Sequence, residues 1–262
     1  MRAKVDGIHL NYELTGKGNH LTFIHGLSAD LTTWQAQVQA FSSRYQVLTV
    51  DIRGFGHSDK PRGPYSIKMF VDDLYSLFKA LGIKKTVLAG HSMGGMIAQT
   101  MALERPEMLS ALILVDTSPA MAPEMVGVIE ESAKAAETQG MTAVVEASLQ
   151  RAFSPGFFQR SPETIALHRE QRLRNDPKAY AAASRAIAQF NLVAQLKRIT
   201  CPTLIIVGDK DLPTPVEAAR TLNQGIPGSK LALIKDSGHN TMVEQPEAFN
   251  AAVAEFLKAL KL

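Results

Sequence analysis

Ala89-Gly90-His91-Ser92-Met93-Gly94-Gly95 decides how the rest of the chain is read. Ahead of it, Thr86-Val87-Leu88-Ala89 is β-branched and apolar, as a buried strand would be. Behind it, Met96-Ile97-Ala98-Gln99-Thr100-Met101-Ala102-Leu103 reads as a helix. The G-x-S-x-G pattern from Gly90 to Gly94 fits a sharp strand-to-helix turn that holds a serine in a strained conformation, a nucleophile elbow. Small residues are needed because backbones approach closely in such a turn. A Cβ at Gly90 or Gly94 would collide with neighbouring elements. The Ser92 hydroxyl would then stand at a helix N-terminus, where free N–H groups and the dipole favour a developing negative charge. The pentapeptide alone fits a glycine-rich turn with a surface serine slightly better. The flanking strand and helix tip the reading to the elbow.

Working outward, strands and helices alternate. Residues 2–14 carry Asp6-Gly7, a hairpin signal between two short strands. Leu21-Thr22-Phe23-Ile24 is a strand ending at His25-Gly26-Leu27-Ser28, and a helix with Trp34, Val38 and Phe41 on one face follows. Gln46–Val50 is a strand that opens into Asp51-Ile52-Arg53-Gly54-Phe55-Gly56-His57-Ser58-Asp59. Ser66 begins a helix with apolar residues at helical spacing from Ile67 to Leu81, and Gly82 stops it. Ala111–Val115 is a further buried strand, ending at Asp116. From 118 to 197 no strand-like run appears. Val145, Leu149, Ala152 and Phe153 form one helical stripe, and Tyr180, Ala183, Ile187 and Phe190 another. Ser161-Pro162 pairs an N-cap with a proline at the first helical position. Strands return at Thr203–Gly208 and Lys230–Ile234. Between them, Thr214-Pro215-Val216-Glu217 reads as a capping box. Phe249, Val253, Phe256, Leu257 and Leu260 mark a terminal amphipathic helix. The expected fold is α/β: a mostly parallel eight-stranded sheet flanked by helices. Residues 1–117 and 198–262 form the core, with a helical cap at 118–197. Ligands of such sheets bind beyond the C-terminal strand ends. His25, Ser92, Asp211 and His239 all fall just past such ends.

Composition narrows the function. The 262 residues carry a net charge of +3, with no basic run or aromatic cluster, which argues against nucleic acid as a partner. The single cysteine, Cys201, excludes an intrachain disulfide and fits a reducing compartment. Met1-Arg2-Ala3-Lys4-Val5-Asp6 has no signal-peptide pattern, and no apolar run approaches the ~18 residues of a membrane span. A cytoplasmic protein with no membrane partner is expected. No H-E-x-x-H, paired-cysteine motif or dinucleotide fingerprint occurs, so no metal and no cofactor are expected. Oligomeric state is not legible, and a homo-oligomer stays open.

Taken together, His25-Gly26, Asp51-x-Arg53-Gly54-x-Gly56-x-Ser58-Asp59, the elbow at Ser92, Gly208-Asp209-x-Asp211 and Gly238-His239 resemble the α/β-hydrolase family over nearly the whole chain. The order Ser…Asp…His is the one that family uses. The resemblance implies Ser92 as nucleophile, activated by a base. Of seven histidines, only His239 follows the last strand, in a Ser-Gly-His-Asn turn able to reach across, so it is the expected base. Asp211 is the expected acid that orients the imidazole. Asp209 reads as a turn former, and Asp116 is the distant rival for the acid. His91 should point elsewhere on the turn. The oxyanion hole would use the backbone N–H groups of Leu27 and Met93. His25, Trp34, Met121, Met125 and Met242 are candidate substrate contacts, with a structural hydrogen bond the competing reading for His25 and core packing for the others; Met93 and Met96 belong to the same adaptable apolar set. Arg53 reads as a residue that pins its loop to a carboxylate.

The elbow and the Gly238–Phe249 stretch are similar to the 3-oxoadipate enol-lactonase and bacterial esterase branch. The expected activity is therefore hydrolysis of a small-molecule ester, lactone or thioester. A serine at position 92 argues against the aspartate-nucleophile dehalogenases and epoxide hydrolases. Carbon–carbon bond hydrolases typically carry an aromatic residue after the histidine, where Asn240 stands. Cofactor-free perhydrolases, and binding proteins with little turnover, are the remaining alternatives.

Overall fold

Eight strands run β1 (Arg2–Val5), β2 (Ile8–Thr15), β3 (His20–Ile24), β4 (Gln46–Val50), β5 (Thr86–His91), β6 (Leu109–Val115), β7 (Thr203–Gly208) and β8 (Lys230–Ile234). They build one sheet in the order β1-β2-β4-β3-β5-β6-β7-β8. β2 pairs antiparallel with β1 and β4. All later pairings are parallel. This is a computed structural model, and it describes residues 1–260.

The helices are α1 (Gln35–Phe41), α2 (Ile67–Ala80), α3 (Met93–Glu104), α4 (Pro123–Gln139), α5 (Val145–Ala152), α6 (Pro155–Arg160), α7 (Pro162–Leu173), α8 (Pro177–Ala188), α9 (Val216–Gly225), α10 (Thr241–Glu244) and α11 (Pro246–Ala259). Parallel central strands are covered on both faces, so they carry apolar side chains continuously rather than alternately. β5 and β7 are buried at every residue. One face of the sheet packs against α2, α3 and α9, through residues such as Leu74, Ile97 and Leu222. The other packs against α1 and α11 through Trp34, Phe41, Phe249 and Val253. A third apolar cluster, with Leu149, Phe153 and Ile165, lies among α4 to α8, which occupy the stretch between β6 and β7. No helix among the described residues is long and apolar enough to cross a membrane.

Local signals account for most boundaries. Asp6 and Gly7 take φ of 43° and 85°, the left-handed pair that a two-residue hairpin turn requires. The Ser66 hydroxyl accepts from the Met69 N–H and caps α2. Ser161 is the N-cap of α7 with Pro162 at its first position, as the sequence indicates, though its side chain makes no cap bond. Two expectations need correction. The turn containing Trp34 is a 3-10 segment, Leu31–Trp34, capped by Asp30. Most usefully, the capping box at Thr214 does not form: Pro215 is the N-cap of α9, and the Thr214 hydroxyl is drawn elsewhere.

Candidate active site

Ser92 sits between β5 and α3 with φ 53° and ψ −117°, a strained setting for a residue with a Cβ. Its surroundings hold it there. Its N–H donates to the Val115 carbonyl at 2.9 Å, and its carbonyl accepts the Thr117 hydroxyl at 2.7 Å. The glycines permit this approach. A Cβ at Gly90 would lie 2.1 Å from the Gly94 carbonyl oxygen, and one at Gly94 would lie 2.5 Å from the Ile24 oxygen.

Three residues distant in sequence meet at the C-terminal rim of the sheet. The Ser92 Oγ lies 2.8 Å from His239 Nε2. His239 Nδ1 lies 2.9 and 3.0 Å from the two oxygens of Asp211. A carboxylate can only accept, so Nδ1 carries the hydrogen and Nε2 is free to accept from the serine hydroxyl. Asp211 is held by the Thr214 N–H at 2.9 Å and the Thr214 hydroxyl at 2.8 Å. That hydroxyl also stands 3.2 Å from His239 Nδ1. Thr214 thus orients Asp211 through both its N–H and its hydroxyl, while α9 starts one residue later, with Pro215 as its N-cap.

Burial alone would push the His239 imidazole down. The charge and hydrogen bond of Asp211, joined by the charge of Asp116, outweigh it and hold the group above its ordinary value. Asp116 does not touch the imidazole. Its carboxylate accepts from the Gly208 N–H at 3.0 Å, the Thr241 N–H at 3.0 Å and the Thr241 hydroxyl at 2.8 Å. Burial, then the nearby Asp211 charge, push it up to about 7. Asp209 accepts from the Ser237 N–H at 3.2 Å, a turn contact.

Several fastenings of the His239 loop escaped sequence reasoning. His91 does not point away: its Nε2–H donates to the His239 carbonyl at 2.6 Å. The His239 N–H and the Asn240 amide both donate to the Ala152 carbonyl, at 2.9 and 3.0 Å. Buried Glu244 accepts from the Gly238 N–H at 2.9 Å and the Ser154 hydroxyl at 2.5 Å. A lone glutamate five residues past a histidine carries no recognisable sequence signal for such a role.

A cavity of about 140 Å³ opens over Ser92 and His239, between the sheet rim and helices α4, α5 and α8. Leu27, Met93, Met96, Met121 and Met125 line it. Three candidate contacts do not reach it. His25 is fully buried. Its Nδ1 pairs with the Gly26 carbonyl at 2.8 Å, and its Nε2 accepts the Ile52 N–H at 3.1 Å, so both nitrogens are occupied. Trp34 is fully buried and stacks on Phe23 with centroids 4.7 Å apart. Met242 is fully buried in the same cluster. Trp34 and Met242 fill the sheet interior, and His25 ties the loop after β3 to the loop after β4. Met93 is the first residue of α3, so its N–H has no intrahelical acceptor. Leu27 lines the cavity from the loop after β3. Arg53 grips Asp73 through two bonds of 2.6 and 2.7 Å, away from the cavity.

The model of the α/β hydrolase fold matches residues 19–246. The chain belongs to the α/β-hydrolase family. It is 32% identical to 3-oxoadipate enol-lactonase 2 of Acinetobacter baylyi, over 96% of this chain and 94% of that one. Among solved structures, a thermophilic esterase from Thermogutta terrifontis matches with a TM-score of 0.94 at 32% identity, covering 99% of both chains. The enol-lactonase from Burkholderia xenovorans LB400 matches with 0.93 at 32% identity, covering 98% of this chain and 100% of that one.

Proposed function

We propose that this protein is a serine hydrolase cleaving a small carboxylic ester, lactone or thioester through an acyl-enzyme on Ser92. The unbroken hydrogen-bonded chain from Ser92 through His239 to Asp211 carries the reading. Similarity to proteins named enol-lactonase and esterase supports the ester bond as the target. His239 Nε2 takes the hydroxyl proton as Oγ attacks the carbonyl carbon. The oxyanion that forms is met by the N–H groups of Met93 and Leu27, where one such donor contributes about 3 kcal/mol to the barrier reduction. The tetrahedral intermediate collapses, and His239 returns its proton to the leaving oxygen or sulfur. Water, deprotonated by the same nitrogen, then releases the acid. The steps are carried by the Ser92, His239 and Asp211 side chains, two backbone N–H groups and water. The small, methionine-lined cavity suits a short acyl chain.

A fluorophosphonate probe tests the nucleophile directly. Intact-mass and peptide analysis should find one adduct, on Ser92. No adduct, or one on another serine, would overturn the assignment. A panel of esters, lactones and thioesters read by mass spectrometry then ranks the substrates.

The pH dependence follows from the direction of the His239 shift. Only the neutral imidazole can act as base. A raised pKa therefore moves the loss of activity to higher pH. The acid limb of kcat/KM for an uncharged ester should have its midpoint above the ordinary imidazole value of about 6.5. A midpoint below that value would mean that burial, not Asp211, governs the group.

A further inference from the structure

Arg172, on α7, is buried at 7% exposure and lies behind the cavity wall. Its Nη1 donates to the Ser148 hydroxyl oxygen. Elsewhere in α4 to α8 arginines find carboxylates: Arg169 pairs with Glu146, and Arg185 with Glu130 and Glu137. Among the described residues Arg172 has no such partner. A buried guanidinium without a counter-charge is costly unless a ligand supplies one. Arg151, also without an ion pair among the described residues, stands on the cavity wall beside Ser148. The two arginines are close enough that the charge of one weighs on the other. No Asp or Glu lines the cavity, so nothing there offsets them.

Ser148 connects this charge to the cavity. Its oxygen already accepts from Arg172, so its own hydrogen is free to donate, polarised by the guanidinium behind it. We propose that Arg151, Ser148 and Arg172 form a carboxylate-binding subsite, and that the substrate carries a carboxylate set apart from the bond that is cleaved. This rests on the ester-hydrolase reading for the cleavage step, but not for the binding. The anion would accept from Ser148 and Arg151 at the wall and be held by Arg172 from behind. It would also offset a cation whose charge opposes protonation of His239.

The test compares matched substrates. Mono-4-nitrophenyl esters of succinic, glutaric and adipic acids place the carboxylate on the acyl side. Butyryl esters of hydroxy acids place it on the leaving side, and 4-nitrophenyl butyrate is the neutral reference. The ratio of kcat/KM for the preferred anionic ester over the neutral one should fall roughly 10- to 100-fold in Arg172→Met, the size of a lost charge-assisted hydrogen bond. Arg151→Met, on the cavity wall, should lower the same ratio and keeps the test open should Arg172→Met fail to fold. A ratio unchanged in Arg151→Met, or no preference for either anionic arm over the neutral ester, overturns the proposal. Glutarate titrated calorimetrically into Ser92→Ala separates the two readings. Saturable binding lost on adding Arg151→Met supports the subsite even if no ester is turned over, and absence of binding removes it even if neutral esters are cleaved.

Discussion

Replacing Ser92 with Ala is expected to lower kcat for the best ester of a panel by about 10⁴- to 10⁶-fold, with the fold intact. The size follows from the serine being the atom that attacks. Without Oγ there is no acyl-enzyme, and the oxyanion donors and cavity can only assist direct attack by water. Stability should barely change. The Ser92 backbone is held by its N–H to Val115 and its carbonyl to Thr117, and neither bond involves Oγ. The positive φ is equally strained for alanine. Circular dichroism and thermal melts should therefore superpose on wild type while hydrolysis, followed by chromophore release, disappears. Retention of full activity would mean that another nucleophile does the work and would remove the mechanism.

The elbow was legible in the sequence because it obeys steric rules that act within a few residues. Gly90 and Gly94 are small for reasons of backbone contact, and both contacts exist. Thr203–Gly208 reads as a continuous apolar run because a central parallel strand is buried on both faces. What could not be read is set by contacts between segments far apart. Trp34 and Met242 have the chemistry of pocket residues, but a large apolar side chain carries no mark of whether its free volume is taken by protein or ligand. Both filled the sheet interior. Thr214-Pro215-Val216-Glu217 satisfies the capping-box pattern, yet the helix starts one residue later, at a Pro215 N-cap that has no side-chain oxygen, and the Thr214 hydroxyl is turned to the buried Asp211 carboxylate. Arg172 is the extreme case. Sequence places it on an ordinary helix among charged neighbours, and only the packing of α5 against α7 turns it into a buried cation.

Asp116 and Asp211 pose the sharpest question of role, and their asparagine variants should separate it. Both carboxylates lie past the ends of adjacent strands, β6 and β7, and both raise the His239 pKa. Only Asp211 touches the imidazole. In Asp211→Asn the side-chain amide can present N–H to His239 Nδ1. That favours the tautomer with hydrogen on Nε2, which cannot accept from Ser92. The imidazolium formed during attack also loses its counter-charge. A fall in kcat of about 10⁴-fold is expected, with a modest effect on stability. Asp116→Asn should behave in the opposite way. Its carboxylate accepts three hydrogen bonds from Gly208 and Thr241. An amide has one acceptor oxygen, so its NH₂ group must face at least one backbone N–H. Such a conflict, buried, costs about 1–3 kcal/mol and should lower the melting temperature. Loss of the Asp116 charge would also move the acid limb of the pH profile downward, since that charge helps to hold His239 up, while kcat at alkaline pH stays within about tenfold of wild type. The two variants thus trade places between melting curve and rate. Should Asp116→Asn lose the larger share of kcat at every pH while Asp211→Asn keeps its own, the orienting carboxylate belongs to β6 rather than to the loop after β7.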